Sequence, residues 1–301
     1  MKKPKPFTLL VLLHAAIIAI AVSLLWRQPS EHRNDSDTIL VIPIEGMITM
    51  GRGAMSRGES VDEIVEAIDH AADDKDVKAI VLKINSPGGS VGAVQAIHSS
   101  LLRFRKKGKH VVSTFGDVAA SGGYYVACAG DQIVSYPGTL TGSIGVVLQL
   151  PNVTGLLQKV GVRMDAVTSG AMKDAGSPFR AMTADEQKYF KEIVMDAYGQ
   201  FFDAVKTGRK IPDDDLRKIA DGRVMSGQMA LKAKLVDKLG GYADAVDLAK
   251  EISGLSGKNP RVVERHEKPA LGKLLELVSK TPVDHLMDFA ETGVRISYLL
   301  N

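Results

Sequence analysis

The chain has 301 residues, of which 45% are hydrophobic and 24% charged, and its formal net charge is +3. These proportions exclude an intrinsically disordered chain, and the near balance of basic and acidic residues gives no electrostatic footprint for nucleic acid. The single cysteine, Cys128, excludes an internal disulfide and a metal site built from several cysteines. We expect neither a cofactor nor a metal.

The N-terminus has the pattern of a membrane anchor. Residues 7–26 contain no Asp, Glu, Lys or Arg, and a helix of about 20 residues spans the roughly 30 Å hydrocarbon core of a bilayer. Three lysines in the tail of residues 1–6 precede this run, which predicts a cytoplasmic N-terminus and an extracytoplasmic domain. The alternative is a cleaved signal peptide, with a weak site at residues 21–23. We expect a single-pass protein of the inner (plasma) membrane, with residues 27–37 as linker.

Residues 38–257 alternate between strand and helix patterns, which predicts one α/β domain. Ser60 and Thr183 each begin a capping box, the signature of a helix start. Strands separated by helical crossovers form a parallel sheet with functional residues at the carboxyl ends of its strands. Predicted strands are Thr38–Ile44, Ala79–Ile84, His110–Phe115 and Gln132–Tyr136; predicted helices follow Ser60 and Thr183 and span Val91–Arg105 and Gly122–Ala129.

The last segment, residues 258–301, is predicted to be a C-terminal extension. It has a strand pattern at Arg261–Glu264, followed by two short amphipathic helix patterns around residues 271–278 and 283–290.

Glycine is concentrated in residues 86–145, which hold 11 of the 29 glycines. The first glycine-rich turn, Asn85–Val91 (NSPGGSV), directly follows a predicted strand. Gly88 and Gly89 would let successive N–H groups point at one spot at a helix N-terminus, which suits a phosphate or the oxyanion of acyl transfer. The alternative is an ordinary tight turn between strand and helix.

A second glycine-rich turn, Asp117–Tyr125, follows the next strand. Ser121 is preceded by small residues and followed by Gly122 and Gly123 as a helix begins. This follows the logic of a nucleophile elbow, although it is not the G-x-S-x-G pattern. The alternative is that Ser121 caps the helix with its side chain.

A serine nucleophile needs a general base. None of the seven histidines has an informative setting, so a Ser–His triad is weakly supported. A lysine whose pKa is lowered by burial is the other available base. Lys173 has the most unusual context, because it lies in the Gly- and Pro-containing loop Ser169–Arg180.

Five blocks in order resemble the short form of the bacterial signal peptide peptidase A family. They are NSPGGSV, DVAASGGYYVA, TGSIGV (Thr141–Val146), SGAMKDAGSPFR and KIADGRV (Lys218–Val224), and they extend over about 140 residues. The NSPGG block also resembles the Clp proteases, which share the wider crotonase-like fold. That family uses Ser–His–Asp, however, and the lysine block does not resemble it.

The resemblance implies a fold and a set of roles. The fold would be a Clp/crotonase-like spiral of ββα units with a mainly parallel sheet. Ser121 would be the nucleophile, Lys173 the general base and Ser143 the residue that positions this lysine. The oxyanion hole would use Gly122 together with Gly88 or Gly89.

The same resemblance implies a Ser/Lys endopeptidase that cleaves apolar peptides such as signal peptides already removed from their proteins. It would assemble as a ring-like homo-oligomer facing the membrane lipid, with no nucleic-acid partner. Three alternatives stay open: a Clp-type Ser–His–Asp peptidase, a non-catalytic membrane scaffold, and a crotonase-like acyl-CoA enzyme. Extracytoplasmic placement argues against the last, because acyl-CoA is cytosolic.

Overall fold

The computed structural model describes residues 37–50, 60–265 and 296–299, which belong to one compact unit spanning Asp37–Asn301. The predicted anchor and the two predicted C-terminal helices lie outside these residues. Among the helices that are described, none is long and apolar enough to cross a membrane.

The predicted order of strands and helices is confirmed, with several short elements added. The strands are β1 (Thr38–Glu45), β2 (Val77–Ser86), β3 (Gly88–Ser90), β4 (His110–Ala120), β5 (Gln132–Ser135), β6 (Leu140–Gly142), β7 (Val147–Leu148), β8 (Val224–Ser226), β9 (Lys238–Leu239), β10 (Arg261–Glu264) and β11 (Ile296–Leu299). The helices are α1 (Val61–Asp73), α2 (Val91–Lys106), α3 (Gly122–Ala127), α4 (Thr154–Lys159), α5 (Ala184–Arg209), α6 (Asp213–Arg217), α7 (Gly227–Lys232) and α8 (Tyr242–Ile252).

The main sheet is mostly parallel, as the alternating pattern predicts. Its central path runs β10-β1-β2-β4-β5-β9, and all of these neighbours are parallel. Strand β6 continues the sheet beside the second half of β4 and pairs antiparallel with β8. Both predicted capping boxes are present, at Ser60 and at Thr183.

The sheet is covered on both faces, because alternate residues of each central strand point to opposite sides. One face, including Ile42, Leu82 and Phe115, packs against α1, α2, α3 and α5. The other face, including Val41 and Val81, packs against α8. This two-sided burial fixes the strand ends from which the glycine-rich turns leave.

A second, three-stranded sheet lies beside these turns. Strand β11, near the C-terminus, pairs antiparallel with β3 on one side and with β7 on the other. Within it, residue 298 lies opposite Gly89.

Candidate active site

The two glycine-rich turns leave the same edge of the main sheet. Strands β2 and β4 are parallel neighbours, and Ser86 at the end of β2 lies opposite Ala119 near the end of β4. The turn after each strand therefore begins beside the other turn. This is the edge at which a parallel sheet is expected to carry its functional residues.

Ser121 lies in a strained backbone conformation at the junction of β4 and α3. Its φ of 54° and ψ of −117° are unusual for a residue with a side chain, and such conformations cost about 1–3 kcal/mol and cluster at functional sites. The conformation is held by backbone hydrogen bonds: the Ser121 N–H donates to the Gly142 carbonyl at 2.9 Å, and the Ser121 carbonyl accepts from Tyr125 N–H at 2.9 Å. The chain turns sharply here, as at a nucleophile elbow.

The Ser121 side chain does not cap α3, although the residue occupies the N-cap position. Its hydroxyl is fully buried and has no hydrogen-bond partner among the described residues. Buried hydroxyls are almost always hydrogen-bonded, so each exception calls for an explanation, and catalysis is one. The alternative interpretation of Ser121 as an ordinary helix cap is therefore wrong.

Backbone groups of the two turns approach each other next to Ser121. A Cβ atom placed on Gly122 would lie 2.9 Å from the Gly89 nitrogen and 3.1 Å from the Gly88 Cα, so only glycine permits this approach. The Gly88 N–H already donates to the Ser86 hydroxyl at 3.1 Å. Gly89 lies opposite residue 298 of β11, but its nitrogen is the backbone atom nearest Gly122, so Gly89 is the better candidate for an oxyanion donor that works together with Gly122.

Ser143 lies directly beyond the carbonyl that holds Ser121. Both Gly142 and Ser143 have positive φ values, of 77° and 51°, and the Ser143 N–H donates to the Arg223 carbonyl at 2.8 Å. Ser143 is 7% exposed. The sharp bend at this pair brings Ser143 into the neighbourhood of the elbow, where the resemblance expects it.

Lys173 makes no hydrogen bond to the Ser121 hydroxyl. Its side chain is exposed, and neither it nor any other described group hydrogen-bonds the Ser121 hydroxyl. The backbone around it forms consecutive turns, one of them closed by Lys173 N–H donating to Gly170 O at 3.0 Å. The described chain therefore places Ser121 beside the backbones of Gly89 and Gly122, with no hydrogen bond from Lys173 to its hydroxyl.

The residues after Lys173 form a charged cluster that sequence reasoning missed. Arg180 donates to both carboxylate oxygens of Asp174, each at 2.9 Å, and also to both carboxylate oxygens of Glu186. The Arg180 guanidinium holds the pKa of Asp174 below its usual value and lowers the pKa of Glu186 to about 2. Only the combination of one arginine with nearby carboxylates signalled this cluster in the sequence.

The described histidines do not supply a base at the elbow. His98 packs edge-on against Tyr125, with ring centroids 4.8 Å apart, and burial lowers its pKa to about 4. His110 lies 3.6 Å from Asp131, and His70 lies 3.5 Å from Glu66 on an exposed helix face. None of these hydrogen-bonds Ser121. The remaining four histidines lie outside the described residues.

A cavity of about 600 Å³ opens beside Ser143, and its lining is mostly apolar but includes Arg217 and Asp221. Residues 143–147 form one wall, and Val194, Met195 and Tyr198 of α5 form another. Because Val147 belongs to both this wall and strand β7, the cavity adjoins the second sheet. Sequence reasoning assigned no substrate-binding residues, and β7 is too short to be predicted from periodicity.

The fold and the site together define a class of protein. A strained, buried serine between two glycine-rich turns, at the edge of a mainly parallel α/β sheet, is an arrangement of Clp-like serine peptidases. The chain belongs to peptidase family S49, whose model matches residues 103–256. The Clp protease model matches residues 42–139, which contain the second half of β1, strands β2 to β5 and the elbow.

Curated relatives carry matching names. The chain is 38% identical over 184 residues to "Putative signal peptide peptidase SppA" of Enterococcus faecium, covering 61% of this chain and 54% of the relative. It is 32% identical over 222 residues to "Protease 4" of Haemophilus influenzae, covering 74% and 36%. It is 32% identical over 223 residues to "Serine protease SPPA, chloroplastic" of Arabidopsis thaliana, covering 73% and 33%. The matched region thus spans about a third to a half of these relatives.

Proposed function

We propose that this protein is a serine endopeptidase in which Ser121 is the nucleophile and Lys173 the general base. One observation carries the proposal: a buried serine hydroxyl in a strained turn, unpartnered among the described residues, beside the closely approaching backbones of Gly89 and Gly122. Family membership and the lysine block support the choice of base.

The proposed reaction proceeds through an acyl-enzyme. Lys173 takes the Ser121 proton as Oγ attacks the peptide carbonyl, and the N–H groups of Gly89 and Gly122 stabilise the oxyanion. The intermediate collapses when the lysine ammonium returns the proton to the leaving amine. A water molecule then gives its proton to the lysine and attacks the acyl ester, and the same proton restores the Ser121 hydroxyl. Ser143 would position Lys173.

The dyad requires that Lys173 reach a serine to which it is not bound in the described chain. We infer that a neighbouring copy supplies the lysine within a homo-oligomer. The lysine-bearing segment carries exposed large apolar side chains, a feature that marks interaction surfaces. These are Leu156, Val160, Val162, Met164, Val167, Met172, Phe179 and Met182.

Mixing two inactive variants tests this arrangement. Ser121→Ala and Lys173→Ala should each abolish peptide hydrolysis while retaining the fold. If sites are shared between copies, co-expression in equal amounts should restore about a quarter of wild-type activity, because a quarter of the sites combine both intact residues. No recovery in mixed oligomers would show that both residues come from one chain. Full activity of Lys173→Ala alone would refute the dyad and favour a Clp-type histidine base.

The substrate is proposed to be an apolar peptide bound as an extended strand. The edges of β3 and β7 accept an antiparallel strand, β11, directly beside Gly89, and main-chain pairing of this kind is a recurrent mode of peptide recognition. The apolar cavity beside β7 suits an apolar side chain of that peptide. Cleaved signal peptides fit this chemistry, and a peptide library with apolar or polar substitutions would test the preference.

The setting is proposed to be the inner membrane, with residues 7–26 as the anchor and the peptidase domain outside the cytoplasm. This rests on the charge-free apolar run and on the lysines before it. Fractionation should recover the full chain with membranes, and protease added to spheroplasts should digest the domain. Digestion only after lysis would refute the orientation.

A further inference from the structure

The loop that carries Lys173 is tied to the folded core by a cluster of three charged residues, Asp174, Arg180 and Glu186. We infer that this cluster, here called the carboxylate–arginine clamp, is a positioning device for the catalytic base. The inference rests on the proposed function, since it assigns the clamp a role only if Lys173 is the base.

The clamp begins on a rigid element. Helix α5 is anchored in the core through Phe201, Phe202 and Val205, which are at most 5% exposed. Glu186 lies in its first turn and is 2% exposed. Its carboxylate also accepts the Thr183 N–H at 2.8 Å as part of the capping box. The position of this carboxylate is therefore fixed by the helix itself.

Arg180 links the fixed Glu186 carboxylate to Asp174, the residue next to Lys173. One edge of its guanidinium donates to Glu186, with Nη1 at 2.9 Å from Oε2. Its Nε and Nη2 donate to the two carboxylate oxygens of Asp174, and Nη2 also lies 3.2 Å from the Asp174 carbonyl. A planar guanidinium that binds carboxylates on two sides fixes direction as well as distance. Asp174 is the residue next to Lys173, so the clamp ends one peptide from the base.

The rest of the loop provides few other contacts that could fix the position of Lys173. Residues 161–173 are exposed throughout, so little packing fixes the chain before the lysine. A second contact with α5 comes three residues after it, where Gly176, with φ of 77°, lies against the Phe190 ring. The contacts that hold this loop thus come after the lysine: the clamp, this glycine contact, and the Val153 N–H donating to the Pro178 carbonyl at 2.8 Å. A base displaced by about 1 Å can lose a hundredfold in rate.

Charge-removing variants test the clamp. Asp174→Asn and Glu186→Gln are isosteric, and Arg180→Gln replaces the guanidinium with a shorter neutral amide. Each should lower kcat by about 10- to 100-fold and keep KM within about twofold of the wild-type value. The base loses its position, while the strand edges of β3 and β7 proposed to bind the peptide are unchanged. Amide hydrogen exchange over residues 170–180 should accelerate, while exchange in β2 and β4 stays unchanged. The double variant Arg180→Gln/Asp174→Asn should be no worse than Arg180→Gln, since both break one unit.

The matched control is Arg163→Gln. Arg163 pairs with Asp165 in the same exposed segment, with side chains 85% and 69% exposed, and its loss should change neither kcat nor exchange over residues 170–180. Wild-type kcat in Arg180→Gln, or a rise in KM without a fall in kcat, would overturn the inference. If Arg180→Gln does not fold, Asp174→Asn decides by the same criteria. An active Lys173→Ala variant would instead refute the proposed function, so the two failures are distinguishable.

Discussion

The close approach of Gly122 to Gly89 yields a quantitative prediction for Gly122→Ala. The added Cβ would lie 2.9 Å from the Gly89 nitrogen, 3.1 Å from the Gly88 Cα and 2.7 Å from a methyl of Val94. Val94 is β-branched and fully buried in α2, so its methyl can yield little. The backbone contacts must also open by about 0.5 Å to reach an ordinary separation near 3.5 Å. That movement separates the two proposed oxyanion donors.

The fall in kcat of Gly122→Ala can be bounded from the cost of removing one oxyanion-hole donor altogether. Removing one oxyanion donor costs about 10²–10³ in kcat, so displacing one should cost about 10- to 100-fold. Stability should change less, because alanine is favoured over glycine in a helix by about 1 kcal/mol and overpacking costs about 1–3 kcal/mol. The free energy of unfolding should therefore fall by about 0–2 kcal/mol.

Peptide hydrolysis and urea unfolding measure the two effects. Gly199→Ala is the matched control, because Gly199 lies within α5 and a Cβ there meets no atom within 4 Å. That variant should gain about 0.5–1 kcal/mol in the free energy of unfolding and keep its kcat. If Gly122→Ala retained wild-type kcat, the reasoning that this backbone approach forms the oxyanion hole would be refuted.

Three further predictions concern the strained serine, strand β11 and the half-buried His98. Ser121→Gly should lose hydrolysis, yet its free energy of unfolding in urea should be about 1 kcal/mol higher than that of the wild type. Glycine adopts a φ of 54° without strain, and this gain outweighs the added entropy of glycine in the unfolded chain. A less stable variant would contradict the presence of strain at Ser121. A chain ending at residue 295 should show a lower KM at equal kcat, because β11 pairs with the same strand edges, those of β3 and β7, that are proposed to bind the substrate. An unchanged KM would argue against peptide binding at these edges. His98 has its pKa lowered to about 4 in the folded state, so the unfolded state binds more protons between about pH 6.5 and 4. The free energy of unfolding should fall by up to about 1.4 kcal/mol per pH unit as the pH drops through this window, and His98→Gln should remove that slope.

The long elements could be predicted from the sequence because each carries a local signal. The capping boxes at Ser60 and Thr183 begin α1 and α5, and the strand pattern at 261–264 is β10. The apolar residues at helical spacing along α5 are only partly buried: Ala197, Phe201 and Val205 are in the core, whereas Phe190, Ile193 and Val194 are half-buried. In α2, Leu102 is 37% exposed, whereas Phe104 is buried.

Other features could not be predicted because they depend on neighbours distant in the sequence. Strand β4 was expected to end at Phe115, but it continues through Gly116 to Ala120 because β6 pairs with its second half. The positive φ of Ser143 follows from the pairing of this segment with the chain around Arg223. The placement of Lys173 relative to Ser121 likewise depends on loops distant in the sequence, and no local pattern encodes it.

The pairing of the first and last strands of the main sheet affects how the chain is made. Strand β1 is interior only because β10 covers its outer edge, and Thr38 lies opposite Arg261. Until residue 264 has emerged during synthesis or export, β1 presents an open row of hydrogen-bonding groups, and such edges promote aggregation. Pairing across so much chain also slows folding. The nascent domain should therefore depend on a chaperone until its last strand arrives, and a product truncated before β10 should accumulate as aggregates.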